Sequence, residues 1–427
     1  MFMKYFFTIT ISLCFYLVAS TQKTYIWCGN LIDGVSNLPK KEMTIIIEKN
    51  KIVSVEVGYV KPAVNDKTID LKTKTVTPGW IDMHVHIESE QNPNRYLNEF
   101  IQNPSDIAFE STVFAATTLN AGFTSVRDMG GSGVNISLRN AINKNLVNGP
   151  RIFTAGKSIA STGGHADPTN GYRQDLMGDP GPNDGVVNSS EDGRKAVRQR
   201  YKNGSDLIKI TATGGVLSVA KNGSNPQLTE EEIRAIVETA KDYDMKVAAH
   251  AHGAEGIKRA IRAGVHSIEH GSLMDDEAIE LFKKYGTWYV PTLTAGQAVA
   301  DSAKKQGFFP EIIAVKAIAI GPQLKNTFAK AYKAGVKIAF GTDGGVYKHG
   351  LNWKEFIYMT EAGMPVMDAI KAATINAADL LGMKNQLGSI EAGKLADIVA
   401  MDGNPLIDTQ AFGKIVFVMK DGKVYKN

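Results

Sequence analysis

The order of elements along the chain predicts a (β/α)8 TIM barrel carrying a small β-sandwich domain built from both chain ends. Three observations predict it. Short strand-like runs separated by turn residues fill residues 23–77 and return after residue 385. Between them, apolar β-prone runs alternate with helical ones, the pattern of a parallel sheet with crossover helices. Metal-ligating residue types gather at the C-terminal ends of those runs, where a barrel assembles its site. At 427 residues, 43% hydrophobic and 22% charged, the chain is long enough for a barrel with an appendage and ordinary in composition for a soluble globular protein. The net charge of +4 comes from scattered basic residues, so no nucleic-acid footprint shows.

Residues 1–20 stand apart. Lys4 is their only charge, an apolar run follows, and Val18-Ala19-Ser20 offers small residues for cleavage, the layout of a secretory signal peptide. The expected protein is exported, periplasmic or secreted, with no transmembrane segment in the mature chain. A retained anchor is the alternative, and Cys14 is a weak candidate for lipid attachment, because Leu13 is large for the residue before such a cysteine. Cleavage would leave Cys28 alone, with no intrachain disulfide possible. Its place in the strand-like Tyr25–Cys28 run predicts a buried, inert thiol.

Residues 21–77 form the first β piece, with strands expected at Thr24–Cys28, Met43–Glu48, Lys51–Glu56, Lys67–Asp70 and Thr75–Thr77. Residues 385–427 form the second, through Gly388–Ile390, Asp397–Met401, Lys414–Lys420 and Lys423–Tyr425, with Asp421-Gly422 as a hairpin turn. The barrel spans residues 78–384. Its expected strands are Gly79–Ile87, Thr124–Met129, Arg151–Ala155, Leu207–Thr211, Lys246–His250, Ser267–His270, Trp288–Pro291 and Lys337–Thr342. Helices are expected at Ser111–Ala121, Thr229–Asp242, Ala254–Arg262, Asp275–Lys284, Glu311–Lys333 and Asn352–Glu361. Thr229–Asp242 is the clearest, with Thr229 and Glu232 spaced as a capping box ahead of an apolar face. An open doubly wound sheet is the runner-up, but no Gly-x-Gly-x-x-Gly opens a first helix. Ser161–Asp192, rich in Gly, Pro, Asn and Asp, predicts a long loop able to cover the site.

Five strand ends carry the chemistry. His84 and His86 lie two apart and share a strand face, so both can reach one point. Lys209 interrupts an apolar run, His250 is followed by His252, His270 closes Ser267–His270, and Asp343 follows the last strand. A lysine on an inward strand position pays a large desolvation cost if charged. It can become neutral, pair with Asp343 or Glu269, or react with carbon dioxide to give an anionic carbamate. Of the remaining candidates, His165 follows Thr162-Gly163-Gly164, Tyr289 near the seventh strand's end is either a pocket wall or a core aromatic, and Arg173 and Lys348 are in loops that could meet a substrate carboxylate. Arg127 and Asp128 are expected as an ion pair beneath the site. His266 is expected to be structural, and His349 to lie at the mouth or the surface.

These residues resemble the amidohydrolase superfamily. The match runs through His84-Val85-His86, Lys209, His250, His270 and Asp343, and covers nearly all of residues 23–427. Ser161–His165, Lys209–Gly215, Ala249–Gly253, Ser267–Gly271 and Gly341–Asp343 are similar to the branch holding imidazolonepropionase-like proteins and metal-dependent Xaa-Pro and Xaa-Arg/Lys dipeptidases. The resemblance implies two divalent metal ions, usually zinc. His84, His86 and Asp343 would serve one, His250 and His270 the other, and an N6-carboxylated Lys209 would bridge them. It implies amide hydrolysis by a metal-bridging hydroxide with Asp343 as proton shuttle. His165 and His252 would contact substrate or the developing oxyanion, although some relatives have tyrosine where His252 stands. The expected partner is a small molecule, most simply a dipeptide or N-acyl amino acid; a homo-oligomer is possible. Cyclic amides, lactones or phosphotriesters are alternative substrates, and a non-catalytic binding protein on a degenerate barrel is the alternative of a different class.

Overall fold

The computed structural model of the chain describes residues 22–218 and 222–427. The expected leader, residues 1–20 with Cys14, lies outside the described residues. The fold opens with β1 (Lys23–Leu31), β2 (Lys40–Glu48), β3 (Lys51–Val57) and β4 (Lys67–Pro78). A parallel series follows: β5 (Trp80–Val85), β6 (Phe123–Asp128), β7 (Arg151–Thr154), β8 (Leu207–Thr211), β9 (Lys246–Gly253), β10 (Ser267–Leu273) and β11 (Trp288–Val290). The chain closes with β12 (Ile398–Met401), β13 (Ile415–Lys420) and β14 (Lys423–Lys426).

Both chain ends do share one β unit, but it is not two stacked sheets. It is one seven-stranded sheet in the order β14-β13-β12-β4-β1-β2-β3. The edge strand β3 bends back onto the segment leading into β12, where Ile52 N–H donates to Lys394 O and Ala396 N–H to Asn50 O, each at 2.9 Å. The inner face buries Ile26, Cys28, Ile45, Ile398, Phe417 and their neighbours as a core of their own. Lys67–Asp70 and Thr75–Thr77, expected as two strands, are one, and Gly388–Ile390 is not a strand.

The middle of the chain alternates strand and helix. β5-β6-β7 pair in parallel, as do β8-β9-β10-β11. Parallel bridges Ile159–Ile210, Tyr289–Ile338 and Val85–Gly344 link these groups and carry the pairing back to β5. The expected strand Lys337–Thr342 is not regular. It still pairs on both sides, through Ala339 N–H to Tyr289 O at 3.0 Å and Met83 N–H to Phe340 O at 2.9 Å, but Asp82 takes the N–H and the hydroxyl of Thr342, at 3.1 and 2.6 Å, and Phe340 N–H turns to Ala372 O at 3.0 Å, so the ladder is interrupted.

The capping box at Thr229 and Glu232 forms, with Glu232 N–H to Thr229 Oγ1 at 3.2 Å and Thr229 N–H to Glu232 Oε2 at 2.8 Å. Helices Ala254–Arg262 and Glu311–Lys333 fall where expected. Among the described residues, three further helices of ten residues or more, Val134–Asn143, Ser190–Asn203 and Leu293–Ala303, escaped the sequence reading, as did shorter ones such as Arg95–Ile101. Ser190–Asn203 is rich in charged side chains and carries only a narrow apolar stripe, so its periodicity is faint. Among the described residues no helix is long and apolar enough to cross a membrane.

An aromatic seam joins the two regions. Trp80 packs edge-on to Phe123, Phe356 and Phe412, and Phe356 stacks on Phe412 at 4.0 Å. Arg151 adds an ionic tie, reaching Asp397 at 2.8 Å and Asp421 at 2.6 Å. The Pro78-Gly79 break lies at this seam. Gly79 N–H donates to Asp397 O at 2.8 Å, and a Cβ there would fall 2.2 Å from the Thr124 hydroxyl, so only glycine lets β5 lie against β6.

Cys28 is fully buried, and burial pushes its thiol up to about 12. In protein with Cys14→Ser, so that Cys28 is the single thiol, a disulfide reagent at pH 8 is expected to find no reactive group until denaturant is added. Fast labelling of the native protein would show that β1 opens readily.

Candidate metal centre

Strand alternation puts Asp82, His84 and His86 on one face of β5 and its continuation. Asp82 accepts the His84 N–H at 3.1 Å and anchors Thr342, and Asn352 Nδ2 donates to it at 2.7 Å. This ties the strand carrying two histidines to the turn carrying Asp343. There His84 Nε2 and His86 Nε2 lie 3.5 and 3.4 Å from Asp343 Oδ1. Lys209, buried on β8, brings Nζ to 3.5 Å from His84 Nε2. On β9, His250 and His252 share a face. Their rings, and that of His270 from β10, lie 4.6–5.0 Å apart centroid to centroid. His84 joins this group at 4.9 Å from His270. The ligand atoms of His84, His270 and Asp343 fall within 4.8 Å of one another.

The protein side of each imidazole decides what the other side offers. His84 Nδ1 faces Glu269 Oε2 at 2.9 Å, His86 Nδ1 faces Gly130 O at 2.6 Å, and His250 Nε2 faces Gly214 O at 3.0 Å. Carboxylates and carbonyls only accept, so those three nitrogens carry the proton. The lone pair is left on the opposite nitrogen, the orientation a metal ligand needs. His270 Nδ1 is held by the Thr292 hydroxyl at 2.8 Å and His252 Nδ1 by the Ser272 hydroxyl at 2.6 Å. Burial, aided by Lys209 and neighbouring imidazoles, holds His84, His250 and His270 well below the usual histidine range, so they are neutral donors. Burial, with Lys316 and Lys209, lowers His252 to about 4. Burial lowers Lys209 to about 8 against the pull of Glu269 and Asp343. Neutral imidazoles, a carboxylate and a desolvated amine around one point fit a divalent cation.

The backbone is strained where the donors converge. His270, Thr292 and Asp343 have φ of 68°, 55° and 59°, in the left-handed region. Strand alternation would send Glu269 and His270 to opposite faces. The turn at His270 lets its ring join the cluster while Glu269 still reaches His84. Thr292 is kept in place by its own N–H to Gly341 O at 3.1 Å and by Glu355, which accepts from Leu293 N–H and Thr294 N–H at 2.9 and 2.7 Å.

His165 reaches the cluster from the long loop. Its ring stacks on His250 at 4.3 Å, and a Cβ on Gly215 would fall 2.2 Å from it, so Gly215 leaves room for the ring. The loop ends earlier than expected, because Ser190–Asp192 opens a helix. Other expectations need correction. Arg173 is exposed and its guanidinium turns to Asp175, with Nε 3.0 Å from Oδ1. Lys348 is also exposed. Tyr289 is a core aromatic rather than a pocket wall: it is fully buried, packs on Phe282, and donates its hydroxyl to His270 O at 2.9 Å. Arg127 does not pair with Asp128. It donates to Glu269 at 2.8 Å, Ser267 Oγ at 3.0 Å and Met83 O at 2.7 Å, while Asp128 accepts from Ile87 N–H and Asn135 Nδ2. His349 is not on the surface: it is buried against Phe114 and Ser89 O, beside the His86 segment. His266 is structural as expected, its Nδ1 accepting from Val247 N–H at 3.2 Å.

The sequence reading missed the supporting carboxylates. Asp82 had a signal, being two residues before His84 on the same strand face. Glu355 and Asn352 had none, since only the tertiary fold brings them to the site.

A family model described as the amidohydrolase family matches residues 75–426. The ochratoxinase of Aspergillus niger is 32% identical over 96% of this chain and 88% of its own. A solved Xaa-Pro dipeptidase with bound methionine in the active site is 53% identical, covers 95% of this chain and 100% of its own, and superposes with a TM-score of 0.93. A prolidase solved with N-methylphosphonate-L-proline is 34% identical, with coverage of 95% and 100% and a TM-score of 0.86.

Burial raises Glu355 to about 8, opposed by the hydroxyl and N–H of Thr294 and the N–H of Leu293. The folded state therefore holds this proton more tightly than the unfolded state. Glu355 is neutral in both states below the unfolded value of about 4.5, and its cost to stability grows as pH rises toward 8. The melting temperature of the wild type relative to Glu355→Gln is expected to fall between pH 5 and pH 8. A difference that does not change with pH would mean that Glu355 is ionised throughout.

Proposed function

The chain belongs to the amidohydrolase family, and on that premise we propose that it cleaves the amide bond of a dipeptide or an N-acyl amino acid at a binuclear metal centre. It is a metal-dependent hydrolase of amide bonds. One observation carries the finer reading: His84, His86, Lys209, His250, His270 and Asp343 converge on one point, and acceptors draw the protons of three of the imidazoles away from it.

In this reading His84, His86 and Asp343 hold one cation, and His250 and His270 the other. When bound, two zinc ions supply a water that ionises near neutral pH and polarise the scissile carbonyl. Lys209 would serve the centre as a carbamate: its neutral amine would bond to the carbon of carbon dioxide, one N–H proton would leave, and an anion with two oxygens would result. Asp343 takes the proton of the attacking water and gives it to the leaving nitrogen, so the amine departs neutral. His165 and His252, stacked against or beside His250, face the oxyanion or a substrate carboxylate. Two dipeptidase-type neighbours and an ochratoxinase support an amide with an amino-acid component as substrate.

The proposal extends to the architecture. The run of parallel pairings from β5 round to Gly344 supports a closed (β/α)8 barrel over residues 78–384, with residues 21–77 and 385–427 as the appended β domain. Export also belongs to the proposal, on the strength of the apolar stretch after Lys4, and suits an enzyme that trims peptides for uptake.

The reading is tested by metal analysis together with a screen of dipeptides, N-acyl amino acids and lactones. Two divalent ions per chain and turnover of amides are expected, with chelation abolishing activity. Hydrolysis of lactones with no amide turned over would overturn it. Asp343→Asn is expected to lower kcat by about 10²–10⁴-fold in a folded protein. Full activity in that variant would remove Asp343 from proton transfer. Lys209→Ala is expected to lose metal and activity, with partial return in small carboxylic acids, and undiminished metal binding would rule out the carbamate.

A further inference from the structure

We propose that Lys316 is a specificity residue of the site, its ammonium pairing with a free carboxylate of the substrate, so that amides bearing that carboxylate are cut in preference to the same amides with it capped. The inference rests on the amide-hydrolase reading above and gives a partner to the charge that a dipeptide or N-acyl amino acid carries beyond the scissile bond.

The helix that carries Lys316 is docked beside the histidines. Glu311–Lys333 turns one face inward, burying Ile313, Ala317, Leu324, Thr327 and Phe328. Lys316 adjoins that face and is half-buried. Thr327, eleven residues further on, lies within about 20° of the same side of the helix. Its hydroxyl donates to Ser272 O at 2.7 Å, and the Ser272 hydroxyl holds His252 Nδ1.

The head of the Lys316 side chain reaches the loop after β8. Nζ donates to Gly215 O at 3.0 Å and to Ser218 O at 2.6 Å, and the stem lies against Gly223, where a Cβ would come 3.6 Å from Cδ. Gly215 is the residue whose missing side chain makes room for the His165 ring. A single glycine therefore stands between the ammonium and His165, whose ring stacks on His250. The charge of Lys316 also weighs on His252 more than that of Lys209 does. His165 and His252 are the two histidines of the cluster outside the proposed metal ligands, so the cation stands on the side of the cluster that substrate would meet.

The chemistry of the ammonium sets what it takes. Two carbonyl dipoles hold it in place without cancelling its charge, and burial lowers its pKa. A carboxylate arriving there would offset the cost of burial through a charge-assisted hydrogen bond, whereas a carboxamide or ester would bring no charge to do so. Lysine is a point charge on a flexible stem, so it can meet a carboxylate while the stem stays against the loop.

The test compares kcat/KM of metal-loaded protein on the N-acetyl and alanyl derivatives of leucine, phenylalanine and proline with that on the C-terminal carboxamide of each, following release of the amine. The free acids are expected to exceed their carboxamides by about 10–100-fold, the worth of one hydrogen bond to a charged group. In Lys316→Met that ratio is expected to fall to near one, and in Lys316→Arg to persist. A residue that only clamped the loop would lower acid and carboxamide alike, so the ratio separates the two roles. Lys316→Gln, which keeps N–H donors for the loop carbonyls but no charge, is measured beside Lys316→Met and is expected to lose the ratio too. Circular dichroism and metal content report whether each variant folds. Equal values for acid and carboxamide in the wild type, or an unchanged ratio in a folded Met or Gln variant, would overturn the assignment and leave the amide-hydrolase reading standing. Failure of all these amides to turn over would overturn both.

Discussion

The geometry of the site depends on one buried carboxylate. Glu269 is fully buried, with one oxygen on the Arg127 guanidinium and the other on His84 Nδ1. Arg127 and the Ser267 hydroxyl satisfy the first of these oxygens. Because Glu269 only accepts, it keeps the His84 proton on Nδ1 and leaves Nε2 for the centre. Arg127 also donates to Met83 O, fixing the backbone one residue before His84. Charge, tautomer and strand position are thus set together by residues from β5, β6 and β10. Truncating one member of such a buried pair costs about 3–5 kcal/mol, because the partner is left charged and alone.

A second constraint is the left-handed backbone at His270, Thr292 and Asp343. Non-glycine residues held there cost roughly 1–3 kcal/mol each and persist only where the surroundings over-determine them. Here the surroundings can be named. Glu355 gathers the two N–H groups that follow Thr292, and Asp82 gathers Thr342 and Asn352 beside Asp343. Both carboxylates are fully buried, and burial raises Asp82 to about 7 and Glu355 to about 8. Their desolvation, like the strain, is the cost of aiming His270 and Asp343 at one place.

The donors were legible in the sequence because they sit at strand ends, where spacing fixes direction. His84 and His86, or His250 and His252, point the same way in any extended segment. The capping box at Thr229 was legible for the same reason, since all its partners lie within four residues. Asn352, Glu355 and the Arg127–Glu269 pair were not, because their partners are remote in sequence and meet only in the folded chain. Lys337–Thr342 looked like an eighth strand from its apolar content, and it does lie between β11 and β5, but as short bridges that Asp82 interrupts at Thr342. Arg173 failed for another reason: a loop position does not fix a direction, and Asp175 lies nearer than any substrate.

The same distinction separates the chemistry from the specificity of this protein. In the proposed reading, proton and charge are handled by side chains at strand ends, whose positions are locked by buried hydrogen bonds, and recognition falls to the segments after those strands, which are long, partly exposed and held at a few points. Lys316 is one such point: a single ammonium joins the loop after β8 to helix Glu311–Lys333. Residues that change the guest can therefore change without disturbing the residues that cut it. That separation is why family membership settles the reaction class more firmly than the substrate, and why the loops, rather than the histidines, decide which amide fits.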